Sequence, residues 1–242
     1  MTPEGAAFVL VHGAFHGGWC WRRVAQRLRA AGAQAWTPTL TGLGERAHLL
    51  SAAVNLTTFV EDVVRLIEWE ELSRVVLVGH SFGGLVARGV AERLPDRLAH
   101  LVLLDGLVAR NGQCALDLLD PETALDRRRA AEAAASLAAP PPDPAVFGVV
   151  DADDLAWLRR RLTPQPFAAL TEPLRLRAPS AAIAPCSYIR CVRPAYRAMQ
   201  TSHRLVEGRP GWRVHDLAAC HDAMITEPGA VADLLLQIAR EP

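Results

Sequence analysis

The sequence predicts an α/β fold, in which a mainly parallel β-sheet is flanked by helices. Short apolar runs such as residues 8–11 and 74–79 are continuous rather than alternating, which is typical of strands buried on both faces. Segments with helical spacing of apolar residues separate these runs, and such alternation indicates βαβ units. With 242 residues, the chain suits one domain of this class with an inserted segment.

The first half of the chain alternates strand and helix. Residues 19–31 form the first predicted helix, which ends at a glycine. Residues 55–70 form the second, with Asn55 or Thr57 as its N-cap. The third, residues 83–94, stops before a proline. The strands between and after these helices are predicted at residues 8–11, 35–37, 74–79 and 100–105.

The end of the chain returns to the same pattern, with strands predicted at residues 187–191 and 212–217 and a closing helix at 230–240. These segments complete a core that we assign to residues 1–106 and 186–242.

Residues 107–185 interrupt the pattern. Two segments of helical composition, 117–139 and 153–162, are separated by the proline-rich break at 140–144, and a second break follows at 163–166. A disordered linker is the alternative, because alanine and proline are abundant. We favour an inserted helical lid, since a linker has little use for large apolar side chains. Those side chains are Phe147, Trp157, Leu158, Phe167 and Leu170.

The composition excludes several classes of function. The 26 basic and 26 acidic residues cancel, so neither nucleic acid nor an anionic membrane is expected as a partner. Every basic residue is Arg, because the chain contains no Lys, and this rules out a lysine Schiff base. The arginine runs at 127–129 and 159–161 are more typical of solvated helix faces than of an anion site. We expect a small-molecule substrate, and a homodimer is left open.

The five cysteines are scattered and lack zinc-ligand spacing, so no metal and no cofactor are predicted. The first apolar stretch, residues 6–11, is too short for a signal peptide or a membrane span. We therefore expect a cytoplasmic protein with reduced thiols.

The segment GHSFG at residues 79–83 predicts a nucleophilic serine. Gly-x-Ser-x-Gly is a weak signal by itself, but here it directly follows an apolar strand and opens a helix. Gly79 and Gly83 leave room for a sharp turn that exposes Ser81 at the carboxyl end of the sheet. An ordinary strand-to-helix turn is the alternative, and the context favours the nucleophile.

A serine hydroxyl needs a base to accept its proton. Where the nucleophilic serine lies in a turn of this kind, the base is a histidine that follows the last strand of the sheet. His221 follows the strand that ends at residue 217. His203 and His215 are also C-terminal, but the first lies in a predicted helix and the second inside a strand.

A tetrahedral intermediate requires two backbone N–H donors. One is expected from Phe82, which follows the nucleophile, and the other from the glycine-rich loop at residues 12–19. We choose Ala14 as the second donor, with Phe15 as the alternative.

These motifs together resemble one family. HGAFHGGWCW at 12–21, GHSFGG at 79–84 and HDAM at 221–224 are similar to the plant methylesterases and hydroxynitrile lyases and to their bacterial esterase relatives. LTPQP at 162–166 looks like the bacterial branch, and the resemblance covers nearly the whole chain. It implies the α/β-hydrolase fold with an inserted helical lid and cofactor-free action on small esters.

Two departures argue against the lyases of this family. Those enzymes carry Thr after the first-strand histidine and Lys after the catalytic histidine, where this chain has Gly13 and Asp222. Cyanide release favours a positive charge there, and the sequence offers no lysine for it.

A third departure concerns the triad acid. The family places it after the strand ending at Cys191, but this chain has Arg193 and Pro194 there. Three explanations compete: Asp105, at the end of the preceding sheet strand, takes the role; the enzyme works as a Ser–His dyad; or the scaffold catalyses another reaction. Asp216 and Asp222 are poor candidates, because one lies within a strand and the other adjoins the histidine.

The leading hypothesis is a serine-dependent carboxylic-ester hydrolase that acts on a small hydrophobic or aromatic ester through an acyl-serine intermediate. The alternatives are a lyase or cyclase using Ser81 and His221 for binding and proton transfer, and a ligand-binding protein on a decayed scaffold. Each predicted pocket residue could equally be core. The pocket residues are Phe15, His16, Phe82, Leu107, Phe147, Trp157, Gln165 and Phe167.

Overall fold

The computed structural model describes residues 7–133, 137–177 and 184–241. Its main sheet has six strands in the order β2-β1-β3-β4-β7-β8, and every neighbouring pair is parallel. The predicted α/β fold with a mainly parallel sheet is therefore confirmed. The strands are β1 (Ala7–Val11), β2 (Gln34–Trp36), β3 (Val75–His80), β4 (Leu98–Leu104), β7 (Cys186–Cys191) and β8 (Trp212–Leu217).

Helices cover both faces of this sheet. On one face α1 packs against α9, and on the other α2 packs against α3. The core helices are α1 (Arg22–Ala30), α2 (Leu56–Trp69), α3 (Gly83–Arg93), α7 (Gln200–Val206), α8 (Ala223–Thr226) and α9 (Pro228–Ile238).

The continuous apolar runs of the strands follow from this arrangement. Along β1, Phe8 and Leu10 join the apolar cluster that contains α1 and α9, whereas Val9 and Val11 join the one that contains α2 and α3. All four side chains are fully buried. A strand covered on both faces cannot alternate apolar with polar side chains.

The start of α1 differs from the sequence expectation, whereas the N-cap of α2 is one of the two residues predicted for it. Residues Gly18–Trp21 form a 3-10 turn, so α1 begins only at Arg22. Helix α2 begins at Leu56 because Asn55 is the N-cap: its side chain accepts from the Thr58 amide at 2.9 Å.

The chain leaves the sheet after β4 and rejoins it at β7, where Leu101 pairs with Cys186. We call the intervening residues 107–185 the insertion. Its elements are α4 (Pro121–Ala133), β5 (Ala138–Ala139), α5 (Ala152–Arg159), β6 (Gln165–Pro166) and α6 (Phe167–Thr171), and β5 and β6 pair antiparallel.

The insertion contains less helix than the composition predicts. Helix α4 ends before β5, so the expected helix at 117–139 was too long at both ends, and residues 134–136 of it lie outside the described ranges. The expected break at 163–166 contains β6. Cross-strand pairing with β5 overrides local propensity at these residues.

The turn between β3 and α3 requires glycine. A Cβ on Gly79 would lie 2.4 Å from the Gly83 carbonyl oxygen, and a Cβ on Gly83 would lie 2.6 Å from the His12 carbonyl oxygen. Strand, helix and the start of the loop after β1 therefore meet at van der Waals contact, which holds the intervening turn rigidly.

We expect Gly79→Ala to lower the free energy of unfolding by about 3 kcal/mol, because backbone must move to admit the methyl group. Urea denaturation measures the change. Gly229→Ala is the matched control, since its Cβ would find no atom closer than 3.5 Å. Equal stability of the two variants would contradict the close-packing argument.

Candidate active site

Ser81 occupies the sharp turn between β3 and α3. Its φ of 51° lies in the left-handed region, which is strained for a residue with a side chain and is held here by its surroundings. The Ser81 amide donates to the Leu104 carbonyl at 3.2 Å, and the Ser81 carbonyl accepts from the Leu107 amide at 2.8 Å. The end of β4 thus holds the serine backbone on both sides.

His221 lies between β8 and α8, with its ring directed at the serine. Its Nε2 is 3.0 Å from Ser81 Oγ. The His221 amide donates to the Phe147 carbonyl at 3.1 Å, and the His221 carbonyl accepts from His80 Nε2 at 3.0 Å. The backbone of the histidine is therefore held by the insertion and by the residue before the serine.

Asp105 supplies the carboxylate that reaches this histidine. It directly follows β4 with a φ of 43°, and its Oδ2 accepts from His221 Nδ1 at 2.6 Å. This bond leaves Nε2 as the acceptor for the serine hydroxyl proton. Asp216 instead pairs with Arg190 at 2.6 Å, and Asp222 faces away toward His16.

A second histidine on the Asp105 carboxylate was not predicted. His203, on α7, places its Nε2 2.6 Å from Asp105 Oδ1. Burial raises the pKa of Asp105, but the hydrogen bonds from His203 and His221 outweigh it and lower the pKa to about 2. No spacing rule links residue 203 to residue 105, because only the folding of α7 brings them together.

The loop after β1 (residues 12–19) lies beside Ser81. Within the described residues, neither the Ala14 nor the Phe82 amide donates to a protein acceptor. The Phe15 amide, in contrast, donates to Gln165 Oε1 at 3.1 Å, and the Phe15 carbonyl accepts from the Thr163 amide at 2.9 Å. The geometry thus favours Ala14 over Phe15 as a donor to a bound oxygen.

Two buried histidines around this loop are neutral. Burial lowers the pKa of His12 to about 3, and its Nε2 accepts from the Leu40 amide at 3.1 Å. Burial and the nearby His221 lower the pKa of His80 to about 3. Both rings act as fixed hydrogen-bonding groups rather than as titrating ones.

The surroundings of His16 favour its protonated form. Its Nδ1 lies 2.8 Å from the Ala14 carbonyl and its Nε2 lies 3.2 Å from Asp222 Oδ2. Both nitrogens face acceptors, so both must donate when Asp222 is ionised. Burial lowers the pKa of His16, but the charge and hydrogen bond of Asp222 outweigh it and raise the pKa above its ordinary value.

A mainly apolar cavity opens above Ser81. Five predicted pocket residues line it together with Ser81, His221 and Ala14, and these five are Phe15, His16, Phe82, Leu107 and Phe147. The further lining residues are His80, Ala115, Leu119, Thr123, Arg127, Leu170, Tyr196 and Met199. Of these, Arg127 was expected on a solvated face, and Thr123 one turn earlier gave no signal in the sequence.

Three predicted wall residues lie outside the cavity. Trp157 packs its ring edge-to-face against Trp19 at 4.9 Å between centroids. Gln165 is fully buried, and its side-chain oxygen accepts a hydrogen bond from the Phe15 amide. Phe167 is partly buried against the apolar core. The polarity of these three side chains does not by itself predict which residues they contact.

Across residues 7–133, 137–177 and 184–241, no group of three or more His, Cys, Asp or Glu side chains is placed to hold a metal ion. No helix within those ranges is both long and apolar enough to cross a membrane.

Comparison with known proteins identifies close relatives. The model of the family described as "Alpha/beta hydrolase family" matches residues 8–234. A carbendazim hydrolyzing esterase of Nocardioides sp. (strain SG-4G) is 40% identical over 237 residues, which cover 95% of this chain and 98% of that protein. The putative chloroplastic methylesterase 11 of Arabidopsis thaliana is 26% identical over 96% of this chain and 64% of its own length.

The solved structure of an extracellular alpha/beta-hydrolase from a Paenibacillus species has the same fold. It superposes with a TM-score of 0.84 at 24% identity and covers 98% of this chain and 100% of that one.

The low pKa of Asp105 predicts a pH-dependent contribution to stability. Its folded value of about 2 lies below the ordinary value of about 3.9. The ionised carboxylate therefore stabilises the fold above about pH 4, and this stabilisation is lost as the pH falls toward 2.

We expect the difference in unfolding free energy between the wild-type chain and Asp105→Asn to shrink over that range, as measured by urea denaturation at several pH values. Asp96→Asn, at an exposed position, is the control. A difference that stays constant from pH 5 to 2 would contradict the assignment.

Proposed function

Since the chain belongs to the alpha/beta hydrolase family, we propose that Ser81, His221 and Asp105 form its catalytic triad and that Ser81 carries an acyl intermediate. The chain is a carboxylesterase-type hydrolase. The observation that carries the proposal is the unbroken series of hydrogen bonds, 3.0 Å from Ser81 to His221 and 2.6 Å from His221 to Asp105.

In the first half-reaction, Ser81 Oγ attacks the ester carbonyl carbon while His221 Nε2 takes the hydroxyl proton. The former carbonyl oxygen becomes an anion that accepts hydrogen bonds from the Ala14 and Phe82 amides. The C–O bond to the alcohol then breaks, and the alcohol oxygen leaves with the proton from His221. The acyl group remains on Ser81.

In the second half-reaction, water takes the place of the alcohol. His221 removes a proton from the water, the resulting hydroxide attacks the acyl carbon, and the same two amides stabilise the anion. The Ser81–acyl bond breaks, Oγ recovers its proton from His221, and the carboxylic acid departs. Asp105 keeps the ring in the orientation and tautomer that both steps need.

Two fixed groups support the oxyanion site. His16 holds the Ala14 carbonyl and Gln165 holds the Phe15 amide, at 2.8 and 3.1 Å. The peptide between residues 14 and 15 is thereby held at both of its polar atoms. The charge of His16 also favours an anion nearby, although Asp222 balances part of it.

We propose a small hydrophobic or aromatic ester as the substrate. Phe15, Leu107, Phe147 and the other apolar side chains supply most of the cavity wall, and such surfaces bind apolar groups by excluding water.

We further propose that the insertion acts as a lid over a core comprising residues 1–106 and 186–242. It contributes Thr123, Arg127, Phe147 and other residues to the cavity wall. The cavity has a volume of about 50 Å³, which is room for a few water molecules. We propose that side chains of the insertion move apart to admit the substrate.

The non-hydrolytic alternatives lose their main support. A lyase, a cyclase or a ligand-binding protein was considered because the usual acid position holds Arg193 and Pro194. With Asp105 bonded to His221, that reason no longer applies. We propose a cytoplasmic location, supported by five cysteines that are all unpaired and buried.

We expect Ser81→Ala to reduce kcat for 4-nitrophenyl acetate by about 10⁴-fold or more, because the attacking oxygen is lost. Release of 4-nitrophenolate measures the rate. Ser51→Ala, at an exposed position, is the matched control and should keep wild-type activity. Equal turnover by Ser81→Ala and the wild type would refute the acyl-serine mechanism.

We expect Asp105→Asn to lower kcat by about 10⁴-fold, because the amide favours the wrong tautomer of His221. The control is Asp216→Asn, whose carboxylate pairs with Arg190 at the surface and should leave kcat unchanged. A near-normal rate for Asp105→Asn would remove this residue from the triad.

A further inference from the structure

Arg127 places a cation in the wall of an otherwise mainly apolar cavity. It lies on α4, one turn after Thr123, and both side chains line the space above Ser81. Its guanidinium carbon lies 4.8 Å above the centre of the Phe15 ring. Within the same run, Arg128 and Arg129 are exposed, so Arg127 alone of the three turns toward the cavity.

Arg127 has no carboxylate partner among the described residues. Other arginines of the chain do: Arg190 lies 2.6 Å from Asp216, and Arg23 lies 2.6 Å from Asp154. The interactions of Arg127 are with the Phe15 ring and with Tyr196. Burial raises the pKa of the Tyr196 hydroxyl, and the nearby Arg127 counteracts part of that rise. A guanidinium has five N–H donors, and the contacts with Phe15 and Tyr196 use only a minority of them.

Tyr196 connects Arg127 to the candidate catalytic residues, because it contacts both Arg127 and His221. The Tyr196 ring lies 4.6 Å from the His221 ring, measured between centroids, and its hydroxyl is near Arg127. Two aromatic side chains that line the cavity with Ser81, Phe15 and Tyr196, thus also contact the guanidinium. A flat apolar group with an anion at its far end fits this set of contacts.

We propose that Arg127 is a specificity-determining residue that binds a carboxylate on the substrate at the end remote from the ester. The preferred substrates are then aromatic esters that carry a carboxylate. This inference rests on the proposed ester hydrolysis and deepens it. Arginine suits the role because its planar fork donates two parallel hydrogen bonds to a carboxylate and stacks on an aromatic ring.

The test compares matched pairs of esters that differ only in the remote group. One pair is monomethyl terephthalate and methyl 4-methylbenzoate, which carry that group on the acid part. The other is 4-acetoxybenzoate and 4-methylphenyl acetate, which carry it on the alcohol part. We expect the wild-type chain to favour the carboxylate member of at least one pair in kcat/KM by about 10- to 100-fold.

We expect Arg127→Leu to abolish this preference and Arg127→Lys to retain part of it. Arg129→Leu removes an equal charge from the exposed side of the same helix and should leave the preference unchanged. If the wild type shows no preference in either pair, or if Arg127→Leu slows both members of a pair equally, the proposal is overturned. The second outcome would identify a purely structural contact with Phe15 and Tyr196.

Failure of this proposal is distinguishable from failure of the proposed function. Ser81-dependent hydrolysis of the neutral esters, with no charge preference, rejects the role of Arg127 alone. Absence of Ser81-dependent turnover for all four esters rejects the hydrolytic proposal and this one with it.

Discussion

The candidate active site depends on one buried carboxylate that two histidines hold in its ionised form. Asp105 is completely buried, and an isolated carboxylate in such a place would take up a proton. Donors from His221 and His203, both at 2.6 Å, keep it charged. Burial strengthens these bonds, because little water competes for the oxygens. The ring that must accept the serine proton is oriented by this charge.

The insertion is part of the site and not only a cover for it. Its backbone oxygen at Phe147 accepts from the His221 amide, and its Gln165 side chain accepts from the Phe15 amide. Thr163 adds a bond to the Phe15 carbonyl. The histidine and the loop after β1 are therefore held by bonds to residues of the insertion, and so is Ser81, whose carbonyl accepts from the Leu107 amide.

Histidines with identical side chains take different states within this small region. His12 and His80 are neutral because burial disfavours the charge. For His80, the Asp222 carboxylate at 4.0 Å does not outweigh burial and the nearby His221. The pKa of His16 is instead raised, because Asp222 lies 3.2 Å away and the Ala14 carbonyl faces the other ring nitrogen. Asp222, which stands where the related lyases have lysine, thus favours the protonated form of a histidine in the loop after β1.

The sequence by itself determined the α/β fold and the turn that presents Ser81, and it predicted His221 as the partner of that serine. These features depend on residues that are neighbours along the chain: a continuous apolar strand, two glycines with a serine between them, and a histidine after the last strand. Gly79 and Gly83 were recognisable because close packing of strand and helix excludes any side chain there. Local stereochemistry leaves a readable pattern of this kind.

Only the tertiary structure decided which carboxylate contacts His221, which residues contact that carboxylate and which side chains line the cavity. Asp105 and His203 are separated by 98 residues, and their contact depends on how α7 lies across the end of β4. Arg127 was indistinguishable from Arg128 and Arg129 until the orientation of α4 was known. Trp157 and Phe167 had the right chemistry for a wall but meet other neighbours. The sequence specifies the type of each side chain, whereas packing between distant segments determines which residues that side chain contacts.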